Sequence, residues 1–291
     1  MSAALSGDFS WQALLQRRRE GLPLLAGIVN ITPDSFSDGN GVIDPAERVK
    51  FALSLLDNGA DLLDLGAEST RPGALEVPPE TEWERLQPVL SGSLQQRPDT
   101  VISVDTRHSF TAHLALQHGA QIINNVSGLE FDPAMSSVIA MHHAGVILTH
   151  STAIPELMQT SGYILDGNSA VTVVAEKLQI LLDRALAQHI SRPSIMLDAG
   201  IGFGKNTGAN YALLRNARML EEKFQLPFCW AFSRKSMFKS DPDTLEKRIA
   251  ATLAAAVFLA SEQISLLRVH DCAAVTAALT AWRQLTSGEN S

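Results

Sequence analysis

The chain has 291 residues, 45% of them hydrophobic and 19% charged, a composition typical of a globular protein with a substantial core. A formal net charge of −8 disfavours general nucleic-acid binding, so any anion site must be a local cluster of basic residues. The two cysteines favour reduced thiols in a cytoplasmic protein, and we find no targeting segment and no apolar run near the ~20 residues of a membrane span.

Short apolar runs alternate with amphipathic or alanine-rich stretches along the chain. The runs are almost continuously apolar, as expected for strands of a sheet that is covered on both faces. The predicted strands are residues 24–30, 61–66, 101–105, 121–124, 146–150, 195–198, 227–232 and 265–270. The predicted helices are residues 45–58, 80–94, 109–118, 133–143, 170–189, 209–224 and 244–262, with a last helix over 273–285.

This alternation predicts an α/β protein, a single-domain (β/α)8 TIM barrel over residues 23–288. A doubly wound open sheet is the alternative, but no Gly-x-Gly-x-x-Gly turn follows the first strand. Residues 1–22 form a short N-terminal extension. Its helical segment, residues 9–19, is predicted to cap the bottom of the barrel or to pack beside it.

Polar strings follow most of the predicted strands, at the end where parallel α/β enzymes place their chemistry. The most informative is Phe-Ser-Arg-Lys-Ser at residues 232–236, which brings two cations and two hydroxyls to one strand end. Further polar strings begin at residues 30, 68, 104, 124, 198 and 268. Their recurrence indicates an enzyme that holds an anion and a flat polar heterocycle.

Four strand-end residues are candidates for binding the heterocycle: Asp105, Asn124, Asp198 and Lys235. In a barrel, their side chains would converge on one mouth. A carboxylate matches the paired N–H donors of an amino-pyrimidine edge, an amide supplies a donor and an acceptor, and a lysine can bond a ring carbonyl or nitrogen. Such a set suits a pterin or purine edge. The alternative is that each acid only caps the following helix. For a single residue this alternative is as good as a binding role, but for four residues at one mouth it is the weaker one.

Arg268 and His270 are candidates for an anion site. They flank Val269 and would lie on one side of a strand that continued that far. Asp271 then opens the last helix, whose free N–H groups favour an anion, and loops after late barrel strands often bind phosphate. A solvated charge pair is the weaker alternative. Asn30 offers a neutral oxygen suited to a hydrated Mg2+ beside phosphate oxygens.

The string Gly-Ile-Gly-Phe-Gly-Lys at residues 200–205 resembles a phosphate-binding loop, but it lacks the Walker spacing and its Ser or Thr. Its glycines instead suggest backbone that approaches a ligand closely. His150, at a strand end, could line the same mouth. A zinc role for it lacks partners at the usual spacings.

Six strings, in order, resemble the dihydropteroate synthase family, and the resemblance covers about residues 27–275. One string could arise by chance, whereas six in order on one barrel template are specific. They begin at Gly27 (GIVNITPDSFSDG), Glu68 (ESTRPGA), Ser103 (SVDT), Gly202 (GFGK), Ser233 (SRKS) and Arg268 (RVHD).

The resemblance implies a transferase of folate biosynthesis that joins 4-aminobenzoate to 6-hydroxymethyl-7,8-dihydropterin diphosphate, forming 7,8-dihydropteroate and releasing diphosphate. In that family the pterin would be held by Asp105, Asn124, Asp198 and Lys235. Arg268 would stack on the pterin and, with His270 and Asn30, face the diphosphate and Mg2+. The resemblance also implies a homodimer formed through late helices, and a target for sulfonamides.

The resemblance assigns the aminobenzoate pocket to two mobile loops. Phe36, Thr70, Arg71 and Pro72 would shape this pocket, and Ser236 would lie near the carboxylate of the substrate. Asp34 and Arg71 would order a cationic intermediate and exclude water as the loops close.

This chain departs from the family pattern at several positions around the expected pterin pocket. None of the departures removes a named catalytic group, but they bear on catalytic efficiency and on sulfonamide sensitivity. They are Ala67, Asn125, Thr149 and Ser151 on either side of His150, Ala199 and Ala231. The alternatives to a synthase are a pterin-binding methyltransferase and a non-catalytic pterin-binding paralogue. The persistence of Lys235, Arg268 and His270 disfavours the second.

Overall fold

A computed structural model describes residues 8–18, 21–32, 44–69, 74, 76–152, 164–167 and 169–287. In it, eight parallel strands pair in chain order and the last closes on the first. The predicted single-domain barrel is therefore confirmed. The strands are β1 (Leu24–Asn30), β2 (Leu62–Gly66), β3 (Val101–Asp105), β4 (Ile122–Asn125), β5 (Gly145–Thr149), β6 (Ile195–Asp198), β7 (Phe228–Trp230) and β8 (Leu266–Val269).

Helices surround the barrel on its outer side, and their apolar faces pack against the outward-facing residues of the strands in one large core. A short helix, α1 (Trp11–Leu15), precedes the barrel. Within the described residues the surrounding helices are α2 (Pro45–Asp57), α3 (Pro79–Gln96), α4 (Ser109–Gln117), α5 (Met135–Met141), α6 (Ala170–Ala187), α7 (Thr207–Arg215), α8 (Ala217–Phe224), α9 (Leu245–Ser261) and α10 (Cys272–Ser287).

The N-terminal segment caps the bottom of the barrel. Trp11 is 1% exposed and packs in one cluster with inward-facing side chains at the strand starts, among them Leu24, Leu62 and Leu266. Its indole N–H donates to the carbonyl of Ser194 at 3.0 Å, just before β6. The barrel is thus closed at this end, and its opposite end carries the polar strings.

The predicted helix over residues 209–224 is two helices, α7 and α8, which meet at Asn216. The side-chain amide of Asn216 donates back to the carbonyl of Ala212 at 2.8 Å, a local bond of the kind that competes with helix continuation. The apolar periodicity runs through this break, so the pattern alone merges the two helices.

Two helices that follow polar loops, α7 and α9, begin at side-chain caps. Asn206 accepts a hydrogen bond from the N–H of Ala209 at 2.8 Å before α7, and Thr244 accepts from the N–H of Lys247 at 3.3 Å before α9. Such caps fix where the loops after β6 and β7 end.

Among the described helices, none combines the length and the hydropathy that crossing a membrane requires.

Candidate active site

Three of the predicted pterin ligands lie at the carboxyl ends of strands. Asp105 and Asp198 end β3 and β6, and Asn124 of β4 is the register partner of Asp105. Their exposed fractions are 7%, 4% and 3%, respectively. Polar groups buried to this degree need partners, and their partners therefore define the site.

Arg268 of β8 points into the barrel and joins two carboxylates. Its Nε donates to Asp64 at 2.5 Å, and one of its terminal nitrogens donates to Asp105 at 2.9 Å. Asn124 donates to the same Asp64 carboxylate at 3.1 Å. Arg268 and Asn124 are thus joined through Asp64, a residue that was not predicted from the sequence, and Asp105 joins them through Arg268. The only signal for Asp64 was an acid in the middle of an apolar run.

Burial dominates the electrostatics of this cluster. It raises the pKa of Asp105 to about 7, although the charge of Arg268 opposes the shift. Burial would lower the pKa of Arg268, but the charges of Asp64 and Asp105 outweigh it and raise that pKa instead. The guanidinium is therefore permanently charged, whereas Asp105 changes its protonation state near neutral pH.

Lys235 lies in the loop after β7 and faces the same mouth. Its ammonium donates to the carbonyl of Ile201 and lies 4.6 Å from the ring centroid of Phe203. Burial lowers the pKa of Lys235 to about 8, against the charge of Asp198. Burial likewise raises the pKa of Asp198, against the charge of Lys235. Each of these two groups therefore favours the charged form of the other.

The backbone of the β7 loop is turned sharply at Arg234, whose φ is 58°, in the left-handed region that non-glycine residues rarely adopt. Two contacts hold it there. Its N–H donates to the hydroxyl of Thr252 at 3.1 Å, and its guanidinium pairs with both carboxylate oxygens of Asp271. α10 begins one residue later, so this pair links the loops after β7 and β8. Ser236, two residues on, is exposed.

The other two predicted anion-site residues lie at strand ends nearby. His270 follows the last residue of β8, and its Nδ1 lies 3.1 Å from the hydroxyl of Ser233. Its N–H donates to the same hydroxyl at 3.2 Å. Asn30 ends β1 beside Gly66 of β2 and is half-buried. β8 ends at Val269, one residue short of the prediction, so His270 is positioned by Ser233 instead of by strand pairing.

The glycine-rich loop after β6 is folded around Lys205. The ammonium of this buried lysine donates to the carbonyls of Gly200 (2.8 Å) and Phe203 (3.0 Å) and lies 2.9 Å from Nδ1 of His150. Burial lowers the pKa of Lys205 to about 7 and that of His150 to about 2, so the imidazole is a neutral acceptor. In this structure the backbone of the glycine-rich loop closely approaches the side chain of Lys205.

Gly200→Ala is expected to destabilise the fold by more than about 2 kcal/mol. Gly200 has a φ of +66°, and a Cβ there would lie 1.8 Å from the carbonyl oxygen of His150. Urea unfolding measures the difference. The matched control is Gly208→Ala in α7, where the nearest atom would be 3.4 Å away and stability should be unchanged or slightly higher. Equal stabilities of the two variants would contradict this packing.

Five predicted site residues lie outside the described part of the chain, and their roles stay predictions: Asp34, Phe36, Thr70, Arg71 and Pro72. Residues on either side of positions 70–73 are described. The carboxylate of Glu68 accepts from Arg107 at 2.9 and 3.0 Å and from the N–H of Val77 at 2.9 Å. The hydrogen bond between Glu68 and Val77 therefore joins residues on either side of positions 70–73.

Comparison with known proteins decides the family. The sequence matches the family described as Pterin binding enzyme over residues 26–270. The chain is also 36% identical over 281 residues to the dihydropteroate synthase of Neisseria meningitidis serogroup C, in an alignment that covers 94% of this chain and 97% of the relative. The chain belongs to the dihydropteroate synthase family. The resemblance inferred from six strings is thereby confirmed.

Family members differ in length. The chain is 37% identical, over 84% of its own length, to a probable bifunctional folylpolyglutamate synthase/dihydropteroate synthase of Haloferax volcanii, and it spans only 28% of that protein. It therefore corresponds to one part of the bifunctional relative and to nearly all of the Neisseria synthase.

Solved dihydropteroate synthases share this fold. A Xanthomonas albilineans dihydropteroate synthase with 4-aminobenzoic acid superposes with a TM-score of 0.83 at 35% identity, covering 92% of this chain and 94% of that one. A complex of the Xanthomonas enzyme with 7,8-dihydropteroate gives a TM-score of 0.80 at 32% identity, covering 92% and 95%. The barrel is thus that of the dihydropteroate synthase family.

Proposed function

We infer that this chain is a dihydropteroate synthase, which condenses 6-hydroxymethyl-7,8-dihydropterin diphosphate with 4-aminobenzoate to form 7,8-dihydropteroate and diphosphate. The observation that carries the inference is the barrel mouth, where buried carboxylates and cations from four strands meet on a chain of this family. A methyltransferase-like or non-catalytic pterin-binding role is not favoured, because the relatives are dihydropteroate synthases.

In this reaction the aniline nitrogen of 4-aminobenzoate forms a bond to the exocyclic methylene carbon of the pterin. The bond from that carbon to the diphosphate oxygen breaks, its electron pair leaves with the diphosphate, and the nitrogen releases a proton to water. An aniline is already nucleophilic, so the protein has to stabilise the departing diphosphate and orient the pterin more than it has to supply a strong base.

The geometry supports a role for each described residue. Asp198 and Asp105 would accept the N–H groups of the pterin, and Asn124 and Lys235 would meet its remaining ring nitrogens and carbonyl. Arg268 and His270 would stabilise the charge that develops on the diphosphate. We propose that Phe36, Thr70, Arg71 and Pro72 line the aminobenzoate pocket with Ser236, and that Asp34 acts with Arg71 on the closing loops.

We propose Mg2+ as the cofactor, with Asn30 as its one protein ligand. No group of three or more His, Cys, Asp or Glu residues suited to a metal ion occurs within the described residues. A single amide oxygen fits Mg2+, which keeps several waters and is commonly bound through substrate phosphates. When bound, it would neutralise charge on the diphosphate.

The activity is tested by incubating the purified protein with pterin diphosphate, 4-aminobenzoate and Mg2+, and by following 7,8-dihydropteroate chromatographically. Product that appears in proportion to enzyme and stops on omission of either substrate is expected. Absence of product, with the fold intact by circular dichroism, would overturn the inference.

The two buried free thiols suit a reducing compartment, and we propose the cytoplasm.

A homodimer formed through α9 is a further proposal. Ala250, Ala254 and Phe258 of this helix are exposed and spaced four residues apart, so they form one apolar stripe, and Phe258 is 41% exposed. Light scattering should give about twice the 31.4 kDa mass of the chain. Phe258→Glu is expected to yield the monomer, because a carboxylate would be buried in the interface.

The matched control for the dimer is Met141→Glu on α5. Met141 is 59% exposed, more than Phe258, and lies at the end of a different helix. This variant should remain dimeric. A wild-type mass near that of one chain, or equal masses for the two variants, would contradict an interface at α9.

A further inference from the structure

Asp64 is a carboxylate in the interior of the barrel, one layer below the mouth. It lies in the middle of β2, and its side chain is 2% exposed. Its hydrogen-bond partners are Nε of Arg268 at 2.5 Å and the amide of Asn124 at 3.1 Å. Both partners are residues proposed to meet the pterin diphosphate.

We propose that Asp64 is a positioning residue of the reaction, which fixes Arg268 and Asn124 in the geometry in which they receive the pterin diphosphate. The proposal rests on the function proposed above. Asp64 contacts two proposed substrate-binding residues from deeper in the barrel and is not itself proposed to contact the substrate.

The shape of the barrel favours this role. Gly66 is the next residue of β2 on the same face as Asp64, and the position its side chain would occupy lies 3.5 Å from Cβ of Asp105. Because glycine has no side chain, the layer above Asp64 is open on this strand. Arg268 donates both to Asp64 in this layer and to Asp105 at the end of the neighbouring strand.

The two bonds of Arg268 differ in what a ligand does to them. One oxygen of Asp64 and one of Asp105 are buried without a hydrogen-bond partner in the described structure. Pterin N–H donors that approach Asp105 would compete with the terminal nitrogen of Arg268. The Nε bond to Asp64 lies deeper and would persist, so Arg268 could release Asp105 and still remain in the pocket.

Asp64 also affects the charge of Asp105. Burial raises the pKa of Asp105 to about 7, the charges of Arg268 and Lys235 oppose this shift, and those of Asp64 and Glu68 add to it. Removing the charge of Asp64 should therefore lower the pKa of Asp105. Because Asp105 is proposed to accept the pterin N–H groups as a carboxylate, the acid limb of the pH profile should then move to lower pH.

The test is Asp64→Asn, which keeps the shape and one acceptor but removes the charge. We expect kcat/KM for pterin diphosphate to fall about 10- to 100-fold, with a much smaller change in KM for aminobenzoate, and the acid limb to shift downward. Ser103→Ala is the control, because Ser103 is the register partner of Asp64 on β3 and is equally buried. It should keep wild-type kinetics.

A double-mutant cycle separates positioning from a structural role. In an Arg268→Gln background, Asp64→Asn should cost less than about 2-fold more, since its main partner is gone. The double variant leaves neither Asp64 nor Arg268 as an unpaired buried charge. Its activity can therefore still be compared with that of Arg268→Gln if Asp64→Asn alone does not fold. Losses that multiply, or an unmoved acid limb in Asp64→Asn, would overturn the proposal. Activity of the wild-type protein would leave the proposed function standing in either case.

Discussion

Lys235→Met is expected to reduce kcat/KM by about 100- to 1000-fold while the protein remains folded. The ammonium of Lys235 lies in the mouth between the carbonyl of Ile201 and the ring of Phe203, and its charge stabilises the ionised form of Asp198. Methionine fills a similar volume without a charge. Initial rates at saturating aminobenzoate measure the loss, and thermal unfolding checks the fold.

The control for this substitution is Lys239→Met, four residues further along the same loop region and exposed. It should retain wild-type rates. In the wild-type protein, burial lowers the pKa of Lys235 to about 8, so the protonated form required for binding is lost as pH rises through that value. A basic limb near pH 8 is therefore expected. Near-normal rates for Lys235→Met would remove this residue from the site.

Arg268→Leu is expected to destabilise the fold by about 3–5 kcal/mol, because it leaves the Asp64 and Asp105 carboxylates buried without their cation. The loss should depend on pH. The pKa of Asp105 is already raised to about 7 in the folded wild-type protein, above its pKa in the unfolded chain. This group therefore makes the free energy of unfolding fall as pH rises from the unfolded-state pKa towards 7. Without Arg268 the pKa rises further, and the fall should continue above pH 7.

Urea unfolding at pH 5 and pH 8 measures this effect. The matched control is Arg97→Leu, which removes an ion pair with Asp57 whose side chains are 49% and 59% exposed. An exposed pair of this kind contributes at most about 1 kcal/mol, with little dependence on pH in this range. Equal losses for the two variants, or a larger loss at pH 5 than at pH 8 for Arg268→Leu, would contradict the buried network.

The barrel could be predicted because its signal is local and repeated. Each strand is a short apolar run that ends in polar residues, and three of the predicted strands, 24–30, 101–105 and 195–198, have the predicted bounds. The other five predicted strands begin one residue away from the observed start, and four of them also end one or two residues away at the mouth. β7 ends at Trp230, and the chain then turns over residues 232–235, where the N–H of Lys235 donates to the carbonyl of Phe232 at 3.2 Å. Such turns depend on contacts that the apolar pattern does not encode.

The candidate site could be predicted only where its residues stand at strand ends. Asp64 was missed because it interrupts an apolar run, and its partner Arg268 lies 204 residues away in the sequence. The glycines before Lys205 were predicted to let the backbone approach a ligand, whereas the ammonium of Lys205 bonds the carbonyls of Gly200 and Phe203. Arg268 beside Asp64 and His150 beside Lys205 are both distant in sequence from the residue they contact, so residue type and spacing do not reveal these pairs.

The most direct measurement is calorimetric titration of the wild-type protein and of Asp198→Asn with 6-hydroxymethyl-7,8-dihydropterin diphosphate. Asparagine can still accept the N–H of Gly200, as Asp198 does at 2.7 Å, so the loop should keep its fold. We expect saturable one-site binding to the wild-type protein and affinity about 10- to 100-fold weaker in the variant, because a charged acceptor for the pterin N–H groups is lost. Equal affinities for the two proteins would contradict a pterin site at this mouth.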